Sequence, residues 1–188
     1  MLAGGAARRM HGVKPAAQLA GSPLVAYPVA ALSEVCDRVA VVCKAGTPLP
    51  DLAAVERWDE PDEPQHPLAG IVHALERAGE PVLVCAADMP FVTADALRTV
   101  AMAGQRAAGT PAVVAVADRV LQPLLGLYAP ACLDSFRAAP ADARLTDVVE
   151  ALDPVRVAFP AKLVTSVDTP EQLSAAEAEL SGRSAPRP

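Results

Sequence analysis

The amino-terminal segment gathers residue types that bind phosphate. Gly4 and Gly5 are followed by Arg8, Arg9 and Lys14. Glycines let backbone N–H groups approach phosphate oxygens closely, and guanidinium and ammonium groups neutralise the charge that remains. The segment therefore reads as a phosphate cradle with Arg8 and Arg9 as clamps. Taken alone, it reads also as an exposed turn carrying solvated basic residues. Its spacing is neither GxxxxGK[ST] nor GxGxxG, so the P-loop NTPase and dinucleotide-dehydrogenase readings lose their main support.

Asp88 is the second candidate. It lies just past the apolar run 82–87, where open α/β sheets bind ligands, and a carboxylate there can hold a hard cation such as Mg²⁺. The alternative is a turn aspartate that introduces a helix beginning near Thr93. Asp59 belongs to the acidic run 59–63, which by itself reads as a solvated loop. Trp58 reads as a packing residue and His11 as a loop histidine. His73 falls off the apolar stripe of its helix and is expected at the surface. Three histidines without helical pairing do not make a zinc site, and no Ser-His-Asp or Cys-His order stands out.

The elements that must position these groups alternate along the chain. Valine-rich runs without polar alternation at 39–43, 81–86 and 112–116 predict buried strands. Helical spacing predicts helices at 67–78, 23–35, 93–103, 134–138, 145–152 and 169–180. Thr169 suits the cap of the last one, Pro170 its first position and Gln172 a capping box. The pattern predicts a three-layer αβα domain with a mostly parallel central sheet over residues 1–181, then a disordered tail at 182–188. One feature is odd: only Met1, Leu2 and Ala3 precede the glycines, where a full strand of about five residues is expected. Either that strand is a stub or the true start lies upstream.

With 188 residues, 52% of them hydrophobic, the chain has the length for one ordinary domain with a full core. A net charge of −6 has the wrong sign for a general nucleic-acid or membrane-surface binder. The four cysteines show no CxxC spacing and fit a reducing cytoplasm, and no apolar run approaches the roughly 18 to 20 residues that span a bilayer. Of sixteen basic residues only Lys14, Lys44 and Lys162 are lysines.

Taken in order, these motifs resemble the molybdenum cofactor guanylyltransferase family, a group of Rossmann-like nucleotidyltransferases. The family's opening, L-A-G-G-x-x-x-R-M-G-G-x-D-K, is matched by Leu2-Ala3-Gly4-Gly5, Arg9-Met10, Gly12 and Lys14. Asp59 stands seven residues before the G-P-L-A-G-I counterpart His66-Pro67-Leu68-Ala69-Gly70-Ile71. Asp88-Met89-Pro90 matches D-x-P. Gln122-Pro123-Leu124 matches Q-P-L, and Asp168-Thr169-Pro170-Glu171 resembles N-T-P-E. The aspartate before the lysine is missing, the segment is one residue short, and Asp168 replaces an asparagine.

The resemblance implies transfer of GMP from GTP to molybdopterin, releasing pyrophosphate. Leu2, Ala3, Gly4, Gly5 and Lys14 would contact GTP, with Lys14 and Arg9 on its phosphates. Asp59 would lie near guanine or ribose, Asp88 would hold Mg²⁺, and Asp168 would border the pterin. Partners would be GTP, molybdopterin and a receiving molybdoenzyme or cofactor carrier, in the cytoplasm, with neither nucleic acid nor membrane. The same scaffold also suits transfer of CMP to molybdopterin or another nucleotide transfer. A nucleotide-binding protein without turnover is the non-enzyme alternative.

Overall fold

The structure is a computed structural model that describes residues 1–3 and 14–183. Gly4, Gly5, Arg8, Arg9, His11 and Gly12 lie outside the described residues, as does 184–188.

The elements are β1 (Gln18–Leu19), β2 (Ser22–Pro23), α1 (Ala26–Ser33), β3 (Ala40–Lys44), β4 (Glu56–Glu60), α2 (Pro67–Ala78), β5 (Val82–Cys85), α3 (Ala94–Arg106), β6 (Ala112–Ala117), β7 (Val120–Tyr128), α4 (Leu133–Ala138), α5 (Leu145–Glu150), β8 (Val155–Ala158) and α6 (Pro170–Arg183). β5, β7, β6 and β8 form one sheet in that order, and β3 pairs with β4. Leu2 joins the two groups through parallel bridges to Val42 and Ala86.

Valines alternate to opposite faces of each strand, so each face needs its own cover. Val41, Cys43, Cys85 and Ala115 pack with Val29 and Leu32 of α1 and Leu97 of α3. Val42, Val84 and Val114 pack with Ile71 and Leu75 of α2, Phe136 of α4 and Val149 of α5. Helices therefore cover both faces. α2 follows its predicted bounds. His66 caps its start, its Nδ1 accepting from the Leu68 N–H at 3.1 Å, and Gly79 at φ 67° closes it in the left-handed region that glycine adopts without strain.

Several expectations change. One strand departs from the parallel order: β3–β4, β6–β8 and the bridges of Leu2 to Val42 and Ala86 are parallel, but β7 runs antiparallel to β5 and to β6. The cause is local. Asp118 and Arg119 both have positive φ, 48° and 65°, the geometry of a two-residue hairpin turn that forces β7 back along β6. The helix predicted at 23–35 begins only at Ala26, because Ser22–Pro23 pairs with Gln18–Leu19 across a similar turn at Ala20 and Gly21. α6 runs on to Arg183, past the predicted start of the tail at 182. A glycine near a helix end costs about 1 kcal/mol relative to alanine, too little to stop the helix a turn early.

Candidate functional site

Leu2 is wedged between two parallel strands. Its N–H donates to the Cys85 carbonyl at 2.9 Å, its own carbonyl accepts from Ala87 N–H at 2.9 Å, and the Ala3 N–H donates to Val42 at 2.9 Å. The Leu2 side chain is buried against Val42, Trp58 and Ile71. It is a wall of the core, 7% exposed. Because Leu2 runs parallel to β3 and β5, Ala3, Lys44, Glu60 and Asp88 all lie at or beyond the carboxyl ends of strands, the end where open sheets place ligands.

Lys14 opens a short 3₁₀ turn, Lys14–Ala16. Its ammonium donates to Oδ2 of Asp88 and, at 2.5 Å, to Oδ1 of Asp168. The shortened segment ahead of Lys14 thus leaves the side chain at the strand-end aspartate. Asp168 reaches the same place because Val167 N–H donates to the Asp88 carbonyl at 2.9 Å, tying the start of α6 to the loop after β5. The expected capping box then fixes the turn: Gln172 Oε1 accepts from the N–H groups of Asp168 and Thr169, and Thr169 Oγ1 accepts from Gln172 N–H at 3.3 Å. Burial alone would lower the pKa of Lys14, but the two carboxylates outweigh it and hold it above the ordinary lysine value. Asp88 Oδ1 is buried and has no partner among the described residues.

Asp59 and Glu60 face opposite ways. β4 alternates, so Trp58 and Glu60 point inward while Arg57 and Asp59 point to solvent. Asp59 is ion-paired with Arg57 at 2.7 Å and its side chain is 54% exposed. Its place near a base or ribose therefore does not follow from this geometry. Glu60 has a side chain only 5% exposed, with Oε1 3.4 Å from the ammonium of Lys44. Lys44 also donates to the carbonyls of Pro61 and Pro64. Glu60 Oε2 is buried without a partner among the described residues. A Cβ at Gly70 would stand 3.0 Å from that oxygen and 3.2 Å from Leu2, so glycine is what lets α2 settle onto both. Glu60 and Ala87–Asp88 thus adjoin the two sides of Leu2.

Sequence reasoning passed over Glu60. The available signal was its place two residues beyond Trp58, on the same face of a strand hidden by its charges. Trp58 itself packs in the core, with the Arg77 guanidinium 5.0 Å over its ring. His73, expected in solvent, is half-buried, and its Nε2 is enclosed without a partner among the described residues. Cys43, Cys85 and Cys132 are buried free thiols, and burial raises the Cys85 pKa to about 12. Among the described residues no three His, Cys, Asp or Glu side chains gather as a metal cluster, and no helix is long and apolar enough to cross a membrane.

The chain is similar to several solved structures over nearly its whole length. With molybdopterin-guanine dinucleotide biosynthesis protein A of Archaeoglobus fulgidus it shares 25% identity and a TM-score of 0.75, covering 96% of this chain and 97% of that one. With 2-C-methyl-D-erythritol 4-phosphate cytidylyltransferase of Thermus thermophilus the values are 22% and 0.72, over 90% and 95%. A homolog of Mycobacterium tuberculosis Rv0371c from Mycobacterium sp. strain JC1 has the same fold at 17% identity and a TM-score of 0.77, over 97% and 96%. No curated protein matches the sequence. The MobA-like NTP transferase domain matches residues 1–155, and with Leu2, Lys14 and Asp88 all inside that span, the chain belongs to this family of nucleotidyltransferases.

Proposed function

We propose that this protein transfers GMP from GTP to molybdopterin, forming the guanine dinucleotide and releasing pyrophosphate. One observation carries the reading: the Lys14 ammonium is held between Asp88 and Asp168 at the carboxyl end of the sheet, beside a buried carboxylate oxygen that has no partner among the described residues. The 25% identity to the Archaeoglobus protein, across almost all of both chains, supports guanylyl transfer to molybdopterin over other nucleotide transfers.

The residues fit Mg²⁺. This ion takes one or two protein carboxylates and leaves its other positions to water and phosphate, so no larger cluster is required. Asp88 would hold it through the unpartnered Oδ1, with Asp168 across the ammonium from it. When bound, Mg²⁺ neutralises charge on the phosphate oxygens.

The chain's own groups do the rest. A phosphate oxygen of molybdopterin attacks the α-phosphorus of GTP in line, and the bond to the pyrophosphate oxygen breaks. Such a reaction depends on positioning and on charge neutralisation. Lys14, with Arg8 and Arg9, stabilises the charge that builds on the leaving pyrophosphate. Backbone N–H groups of Gly4 and Gly5 grip the triphosphate. Glu60 Oε2, next to Leu2, accepts a hydrogen bond from the base or the ribose in the role first given to Asp59.

Cytidylyl transfer is the second reading, favoured by the matching fold of the Thermus cytidylyltransferase. Incubating the protein with Mg²⁺, molybdopterin and each nucleoside triphosphate separates the readings. Pyrophosphate release is expected with GTP. Release with CTP alone would move the assignment to the cytidine reaction, and GTP binding without release would remove the enzyme.

A further inference from the structure

Phe136 and Leu68 are buried where α4 meets α2, but the surface beside them stays apolar and open. A cavity of about 330 Å³ lies between α2, α4 and the loop ahead of α2, walled by Pro64, Leu68, Val72, Phe136 and Pro140. A second of about 330 Å³ lies between the end of α4 and α5, walled by Ala138, Ala143, Val148, Ala151 and Leu152. Ala139 and Pro140 line both, so the two join into one groove across three helices. Alanines at 138, 139, 143 and 151 leave it open, because none of these side chains reaches across.

The charges on the groove are one-sided. Three carboxylates line it, Glu63, Glu76 and Asp147, against one guanidinium, Arg137. Arg137 is already committed: it donates to Glu76 at 2.7 Å and stands 3.8 Å from Asp134. His66 and His73 complete the polar wall. Asp62 and Asp142 are exposed beside lining residues, with Arg144 as the cation among them. An apolar floor inside a negative rim repels anionic surfaces and nucleic acid and matches a cationic partner.

The walls also decide the backbone of the occupant. They are helices, whose N–H and C=O groups are spent along their own axes, and prolines, which have no N–H to offer. An extended peptide finds no ladder to join here, whereas a helix brings its own hydrogen bonds. We infer that the groove docks a basic amphipathic helix of a partner protein, its apolar face seated on Leu68, Val72, Val148 and Leu152 and its lysines or arginines facing Glu63 and Asp147. A partner so seated stands beside the candidate site. Pro61 and Pro64, on the groove wall, accept from Lys44, which faces Glu60.

The probe is a peptide of about eighteen residues, five helical turns, with leucine on one face and lysine on the other. Its control has the same composition in an order that gives no apolar face. The leucine-faced peptide is expected to bind saturably and at least tenfold more tightly than the control. It should shift the methyl signals of Val72, Val148 and Leu152 and leave those of the buried Val113 and Leu125 in place. Glu63→Lys with Asp147→Lys, both exposed, should weaken binding at least tenfold. Asp51→Lys with Glu80→Lys makes the same change of net charge at exposed positions outside the groove and should leave binding within about twofold. No binding, shifts elsewhere, equal binding of the control peptide, or an equal loss in the two double variants overturns the proposal. Concentration-dependent shifts at the same methyls without peptide would assign the groove to a second copy of this chain and overturn it as well.

Discussion

Two lysines mark the carboxyl end of the sheet, and they are used in different ways. Lys44 sets one ammonium against one carboxylate, Glu60, and gives its remaining hydrogen bonds to the carbonyls of Pro61 and Pro64. Lys14 is shared by two carboxylates, so its cluster keeps one negative charge in excess. Exposure differs too: the Asp168 side chain is 50% exposed and that of Glu60 only 5%. A balanced buried pair resists exchange, because removing either partner strands a charge in a low dielectric. An unbalanced pair of carboxylates has charge left over for a cation, and its lysine has other anions to turn to. The first arrangement neutralises itself and leaves over only the acceptor Glu60 Oε2, whereas the second has a full charge to spare.

The largest effect is expected where the excess charge sits. Asp88→Asn keeps the volume and a hydrogen-bond acceptor for Lys14 but removes the charge. Turnover, followed as pyrophosphate release in Mg²⁺, should fall by roughly 10³-fold, the scale on which lost transition-state electrostatics are felt. The Tm should stay within about 4 °C of the parent, since the cluster becomes balanced. Full activity in this variant would erase the functional contrast between the two lysines.

Neighbouring residues of one strand sharpen the comparison. Glu60→Gln leaves the fold of β4 and removes the charge that faces Lys44 and Leu2. The KM for the nucleotide should rise about tenfold, matching roughly 1.5 kcal/mol for a hydrogen bond to a charged group, with a smaller change in kcat. Asp59→Asn, on the solvent face, should leave both constants within about twofold. The opposite ranking would restore Asp59 to the site and reduce Glu60 to a packing residue.

That contrast shows where sequence reading reaches its limit. Lys14 and Asp88 were legible because glycines, a basic residue and a strand-end carboxylate are local chemical signals, and the structure puts them in contact. The last helix was legible through its cap, which forms with Gln172 and Thr169 as spaced. β4 was not, because the Glu56–Glu60 strand is charged at every position but Trp58, and charge suggests a loop until a parallel partner is known. Which of Asp59 and Glu60 turns inward depends on the phase of that alternation, which a one-residue difference in spacing inverts. β7 was hidden by Pro123 and Gly126 and by a turn whose positive φ values fall on Asp118 and Arg119, with no glycine to mark it.

The smallest expected effect is on stability at alkaline pH. Burial pulls the Lys14 pKa down from 10.5, and Asp88 and Asp168 together more than reverse that pull. A group whose pKa is raised on folding binds its proton more tightly in the native state. Its contribution is complete below the unfolded value and is lost as pH climbs through the higher folded one. The parent should therefore lose stability above about pH 10.5 by a component that Lys14→Met lacks, read as the difference between their urea midpoints across pH 9 to 12. Tyrosines and the other lysines titrate in the same window, but they do so in both proteins and cancel. Asp168→Asn should retain part of the component, since Asp88 still faces the ammonium. Parallel profiles for parent and Lys14→Met would mean that water already screens the cluster. The contrast between the two lysines would then be one of position alone, and the excess charge at Lys14 would have no energetic weight.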